Sequence, residues 1–135
     1  MKTLKSILAS VILVTMVSIS AFAGPESKVI AVVKSAAWYP TCQQNGQRAM
    51  VAFMENNKNG LIQFVTADVT NDDTKLKSAG ELKKLGLDLE AEKYKATGVA
   101  YFFNAETKAF INQISVAKTD QEIALAMKDA LKGLK

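Results

Sequence analysis

The sequence contains no histidine and only one cysteine, Cys42. The lack of histidine excludes catalysis by an imidazole base, and a single thiol cannot form a disulfide within the chain. A glycine-rich phosphate-binding loop is also missing, which argues against the common nucleotide-binding sites. Any sulfur chemistry of this protein must therefore start at Cys42.

Charge is modest and evenly spread. The formal net charge is +4, and the lysines alternate with acidic residues as they do on solvated helix faces. No basic cluster with interleaved aromatic residues is present, so we do not expect nucleic-acid binding. Asp68, Asp72 and Asp73 are compatible with a cation site, but helix capping and loop solvation explain them better. We therefore expect neither a metal nor a cofactor.

Residues 1–23 have the pattern of a secretory signal. Lys2 and Lys5 precede an apolar stretch, residues 7–19, and residues 21–23 read Ala-Phe-Ala, a small-x-small cleavage pattern. The alternative is an uncleaved membrane anchor, for which the apolar stretch is short and interrupted by hydroxyl residues. The sequence therefore favours a signal peptide that is removed.

Cleavage would leave residues 24–135, which is the length of one domain with a single core. Two positive charges would be lost with the signal. We expect the mature protein to be periplasmic or secreted, with no membrane association, in a compartment where disulfides form.

The apolar patterns predict an α/β domain with the element order β-α-β-α-β-β-α and one further short helix before the third strand. The predicted strands are residues 29–33, 61–69, 99–103 and 108–114, and the predicted helices begin near Thr41, Asp73, Asp88 and Thr119. The residues predicted to face the core from these helices are Ala49, Met50, Phe53, Met54, Leu76, Ala79, Leu82, Leu85, Leu89, Tyr94, Ile123, Leu125, Ala126, Met127, Ala130 and Leu131.

Cys42 closes a short stretch, residues 36–42, that reads Ala-Ala-Trp-Tyr-Pro-Thr-Cys between the first strand and the first helix. This layout places the thiol in the first helical turn, where free backbone N–H groups and the helix dipole stabilise a negative charge. The thiolate is the reactive form of cysteine. Three interpretations remain open: a buried inert thiol, a reactive free thiol, or one half of an intermolecular disulfide.

The same stretch resembles the active-site segment of the thioredoxin family, in which a strand leads into Trp-Cys-x-x-Cys and a helix. Trp38 and Cys42 match the tryptophan and the second cysteine, while Tyr39 stands where the family has its first, attacking cysteine. The resemblance implies a thioredoxin-like fold, with a central mixed sheet of four strands and helices on both faces. It also implies a degenerate active site, with Cys42 at the position of the resolving thiol.

Two further departures from the family are expected. A buried acid that many members carry in the first strand corresponds to Val33. The loop with a cis-proline before the third strand corresponds to residues 97–101, and we place Ala100 at the proline position. A cis bond before alanine costs about 3–4 kcal/mol, so we expect a trans bond and a loop of different shape.

These residues lead to two hypotheses. The first is an exported binding or accessory module that lacks ordinary dithiol oxidoreductase activity and recognises a protein partner or thiol client. The second is a thiol-disulfide oxidoreductase that acts as a monothiol through Cys42, by mixed or intermolecular disulfides. The candidate catalytic residue is Cys42, and the candidate binding residues are Trp38, Tyr39, Pro40, Thr41, Val99 and Ala100.

Overall fold

The computed structural model describes residues 27–134. The predicted signal peptide lies outside the described residues. Within residues 27–134, no helix has the length and apolar character needed to cross a bilayer.

The structure confirms the predicted α/β element order. The strands and helices are β1 Val29–Ser35, α1 Pro40–Glu55, β2 Ile62–Asp68, α2 Asp72–Lys84, α3 Asp88–Glu92, β3 Val99–Asn104, β4 Phe110–Ser115 and α4 Asp120–Lys132. The four strands form one mixed sheet in the order β2-β1-β3-β4. β1 pairs in parallel with β2 and antiparallel with β3, and β3 pairs antiparallel with β4.

β1 is the buried centre of the domain. Its first five residues are at most 6% exposed, because neighbouring strands lie on both sides and helices lie on both faces. Alternate side chains of the strand point to opposite faces. Val29, Ala31 and Val33 pack with residues of α1 and α4, whereas Ile30 and Val32 pack with residues of α2 and α3.

Several side chains predicted to face the core are exposed instead. The exposed fractions of Leu76, Leu89 and Leu125 are 76%, 79% and 58%, and Met54 and Ala79 are also exposed. In α2 the reason is a polar contact. The Ser78 hydroxyl accepts a hydrogen bond from the Asp68 N–H at 2.9 Å, which turns Ser78 and Leu82 inward.

Arg48 joins α1 to the segment that leads from β4 into α4. Its guanidinium donates hydrogen bonds to the carbonyl oxygens of Val116 at 2.9 Å and Lys118 at 2.8 Å, and it pairs with Asp120 at 2.5 Å. The predicted capping box of Thr119 with the third residue of the helix is present. The start of α4 is thereby fixed beside α1.

Candidate functional site

The turn between β1 and α1 carries the candidate site. β1 ends at Ser35, and α1 begins at Pro40, whose fixed φ and missing N–H suit a first helical position. Tyr39 is the N-cap residue in an extended conformation, and its side chain makes no capping hydrogen bond. The backbone N–H groups of Thr41 and Cys42 therefore lie in a helical turn that the N-cap side chain leaves uncapped.

Cys42 is partly buried and borders a cavity of about 400 Å³. The cavity lies where α1 meets the carboxyl ends of β1 and β2, and its apolar wall includes Val33, Met50 and Val116. Val33 is only 6% exposed. Val33, the residue that the resemblance compares with the family's buried acid, thus supplies an apolar wall to the cavity that Cys42 borders.

An acid does border this cavity, but it comes from β2. Asp68 accepts hydrogen bonds from the backbone N–H of Thr70 at 2.9 Å and from the Thr70 hydroxyl. These two hydrogen bonds lower the pKa of Asp68 below its ordinary value, and the bond from the Thr70 side chain contributes more than the bond from its backbone. From the sequence, Asp68 was interpreted only as a helix-capping or cation-binding residue, and its position beside the Cys42 cavity was not predicted. Its position at the carboxyl end of a strand parallel to β1 was the available signal.

Thr70 ties the candidate turn to the loop after β2. Its hydroxyl accepts a hydrogen bond from the Ala37 N–H at 2.9 Å, and its carbonyl oxygen accepts one from the Trp38 indole N–H at 3.0 Å. Trp38 also meets the Tyr39 ring edge to face, with 6.1 Å between the ring centroids. Trp38 is 57% exposed and nevertheless held in one orientation by its polar edge.

Tyr39 packs against Gly98, the residue before β3. Gly98 has a φ of +80°, and a Cβ placed there would lie 3.0 Å from Cε2 of Tyr39 and 3.5 Å from Cγ2 of Thr41. The Gly98 N–H donates to the carbonyl oxygen of Lys34 at 2.7 Å, which fixes the loop to β1. Glycine is required here both by the backbone conformation and by the close approach of the tyrosine ring.

Ala100 lies on the same face of the sheet as Val33. This residue is fully buried within β3, paired with Val33 on one side and Ile114 on the other. Gly98, two residues earlier in the chain, is the residue before β3 that the Tyr39 ring contacts. The expected trans geometry is confirmed, because no peptide bond within residues 27–134 is cis. Val99 is half-buried and lies opposite Lys34 in β1.

The structure thus brings the other candidate residues together at one edge of the sheet. Trp38, Tyr39, Pro40, Thr41 and Cys42 are consecutive across the turn, and none of them is fully buried. Among residues 27–134, no group of three or more potential ligands (cysteine, histidine, aspartate or glutamate) is arranged to hold a metal ion.

Replacing Gly98 by alanine is expected to destabilise the domain by about 1–2 kcal/mol, because alanine is strained at positive φ and its methyl group would press on the Tyr39 ring. Urea unfolding measures the change. Gly80, a residue of α2 with open space around its Cα, is the matched control. Gly80→Ala should stabilise by about 0.5–1 kcal/mol. In a Tyr39→Ala background the cost of Gly98→Ala should shrink; an unchanged cost would contradict the ring contact.

Replacing Thr70 by alanine is expected to cost about 1 kcal/mol near neutral pH, because the bonds to Ala37 and Asp68 are lost. Thr70→Ser keeps the hydroxyl and serves as the control. The folded-state pKa of Asp68 is lowered, so its contribution is present above its ordinary pKa of 3.8 and is lost as the pH falls through the folded value. The difference in unfolding free energy between Thr70→Ala and the unmodified protein should therefore become smaller in acid. A difference in unfolding free energy that stays constant from neutral pH into acid, measured by urea unfolding, would contradict a stabilising hydrogen bond between Thr70 and Asp68.

No model of a protein family matches the chain, and no curated protein sequence matches it. Among solved structures, a thioredoxin from Fasciola hepatica is 13% identical, with 76% of this chain and 81% of that chain covered and a TM-score of 0.48. Thioredoxin f2 of Chlamydomonas reinhardtii is 18% identical, covers 79% and 83%, and has a TM-score of 0.47. A tryparedoxin from Trypanosoma brucei is 17% identical, covers 80% and 77%, and has a TM-score of 0.48.

The fold assignment rests on the topology of this chain. A β-α-β unit is followed by a β-hairpin and a terminal helix. The strand order is β2-β1-β3-β4, and β3 runs opposite to its three companions. This chain therefore has a thioredoxin-like fold, with the Trp38–Cys42 turn at the carboxyl end of its central strand.

Proposed function

We propose that this protein is an exported thioredoxin-like module that binds a protein partner through the Trp38–Cys42 turn and lacks ordinary dithiol oxidoreductase activity. One observation carries the proposal. Tyr39 is the residue directly before the helix, the position that the resemblance to the thioredoxin family gives to the attacking thiol, and its ring packs on Gly98. The export part of the proposal rests on the signal pattern of residues 1–23.

The chemistry of disulfide exchange supports the absence of dithiol activity. Reduction of a client disulfide needs one thiolate to attack and a second thiol to release the client from the mixed disulfide. Cys42 is the only thiol in the chain. A mixed disulfide formed at Cys42 would therefore persist until an external thiol removed it.

The shape of the turn supports a binding role. The exposed indole of Trp38 is held by Thr70 and by the Tyr39 ring, so little side-chain freedom remains to be lost when a partner docks. Pro40 restricts the backbone in the same way. Aromatic side chains with an apolar face and a satisfied polar edge are frequent anchors of protein interfaces.

The residues of the turn predict the outcome of an insulin reduction assay. The mature domain, residues 24–135, should not accelerate insulin precipitation by dithiothreitol above the uncatalysed rate. Catalysis at a rate like that of an ordinary thioredoxin would contradict the proposal.

Tyr39→Cys supplies the positive control for this assay. Positions three apart at a helix start face each other across one turn, which brings two cysteines within disulfide range. The oxidised variant should lose two hydrogens by mass spectrometry and show measurable insulin reduction. Its activity should stay below that of a full thioredoxin, because Val33 supplies no acid. If Tyr39→Cys formed disulfides only between molecules, positions 39 and 42 would not correspond to the two cysteines of the family motif.

A second candidate function is monothiol exchange through Cys42. The specific observation in its favour is that Cys42 borders an open cavity in the first turn of α1. A low-molecular-weight thiol or a client sulfur could reach it from this side. An external thiol would then complete the reaction.

Alkylation of Cys42 decides between the two functions. Under the binding-module proposal, iodoacetamide should modify Cys42 near neutral pH no faster than it modifies the cysteine of an unfolded peptide. A clearly faster rate would establish an activated thiolate and favour the monothiol enzyme. The same protein in urea supplies the unfolded reference, and Cys42→Ser reports any reaction at other residues.

A further inference from the structure

The cavity beside Cys42 has a glycine in its helical wall. Gly46 lies inside α1 and lines the cavity. Glycine inside a helix is less stable than alanine, so a close contact usually accounts for it. No such contact exists here, because a Cβ placed on Gly46 would meet no other atom within 4 Å. The absent side chain instead leaves the space between α1 and the sheet open.

The polar wall of this cavity comes from the carboxyl ends of β1 and β2. Ser35 continues the face of Val33 in β1, and Thr66 and Asp68 continue the face of Phe64 in β2. This is the face that packs with α1 and α4. In the sheet register Val33 is the partner of Thr66, and Ser35 is the partner of Asp68. Two hydroxyl groups and one carboxylate therefore occupy neighbouring positions on the side of the sheet where the cavity lies.

Asp68 gives this wall a negative charge. Of the described residues that line the cavity, only Asp68 and Lys34 are charged. By strand alternation Lys34 belongs to the other face of β1, and its amine interacts with the charges of Glu92 and Lys95. Asp68 accepts both hydrogen bonds from Thr70 at its Oδ1 atom. A carboxylate has about four lone-pair sites, so Oδ2 keeps the capacity to accept from a further donor.

We propose that this cavity is a binding site for a small organic amine with an apolar body, bound as its ammonium ion. The apolar wall of Val33, Met50 and Val116 receives the body of the ligand. The ammonium group carries three donors, which match the Asp68 carboxylate and the hydroxyl groups beside it. The volume of about 400 Å³ lies in the range of small-molecule sites. The same carboxylate repels an organic acid, so the site discriminates by charge.

The amine site goes beyond the partner binding proposed for the turn. Trp38, Tyr39 and Pro40 are not among the described residues that line the cavity, although Cys42 belongs to both the turn and the cavity wall. Binding of an amine needs neither a protein partner nor a reaction of the thiol. Failure of the amine site would therefore leave the proposed function standing, and the reverse also holds.

The test titrates a nitrogen-15-labelled protein of residues 24–135 with n-pentylamine, 1-pentanol and hexanoate near neutral pH, followed by nitrogen–proton NMR. These probes share a pentyl chain and differ in the charge of the head group. Millimolar n-pentylamine should shift the amide signals of Cys42, Gly46 and Thr66 but not that of Glu106, in the turn between β3 and β4. It should bind about three- to fivefold more tightly than 1-pentanol, as expected for a partly exposed charge pair, and hexanoate should bind most weakly. Absence of these shifts, or binding of 1-pentanol or hexanoate as tight as that of the amine, would overturn the proposal.

Two variants separate the charge of the site from its space. Asp68→Asn keeps an oxygen acceptor for Thr70 and removes the charge, so it should bind the amine only as tightly as the alcohol. Gly46→Leu fills the cavity and should weaken the binding of both probes by about tenfold or more. Gly80→Leu adds the same side chain at an exposed position of α2 and is the matched control. A preference for the amine that survives in Asp68→Asn, or unchanged binding in Gly46→Leu, would also overturn the proposal.

Discussion

The burial of β1 is the constraint on which the rest of the structure depends. Its first five residues are almost inaccessible to water, because β2 and β3 satisfy its backbone and helices cover its two faces. A strand enclosed in this way can bring the chain to the surface only at its ends. The turn that carries Trp38 and Cys42 leaves its carboxyl end, and the loops before β3 and after β2 reach the same edge. The candidate site is a consequence of that topology.

Contacts with two neighbouring loops hold the candidate site in shape. Thr70 holds the indole of Trp38, and Gly98 receives the ring of Tyr39. Neither contact involves the Cys42 sulfur. Tyr39 adds an aromatic surface beside Trp38. A rigid, exposed aromatic surface is the reason why we propose that the turn recognises a partner.

Local sequence patterns predicted the element order and the position of Cys42, because strand burial and helix starts leave strong signals over a few residues. These local patterns failed where contacts between distant parts of the chain determine which side chains are buried or meet. The helical period placed Leu76 inward, but the sheet beneath α2 selects another face. The contact between Gly98 and the Tyr39 ring joins residues that lie far apart in the chain. The bonds of Thr70 join positions more than thirty residues apart, which no local pattern can reveal.

The central claim is that loop contacts, and not the thiol, organise the Trp38–Cys42 turn. Hydrogen exchange at the Trp38 indole N–H, followed by nitrogen–proton NMR, tests it most directly. We expect this proton to exchange slowly in a protein of residues 24–135 and equally slowly in its Cys42→Ser variant, because its acceptor is the Thr70 carbonyl oxygen. Exchange as fast as in free tryptophan, or a loss of protection in Cys42→Ser, would contradict the account.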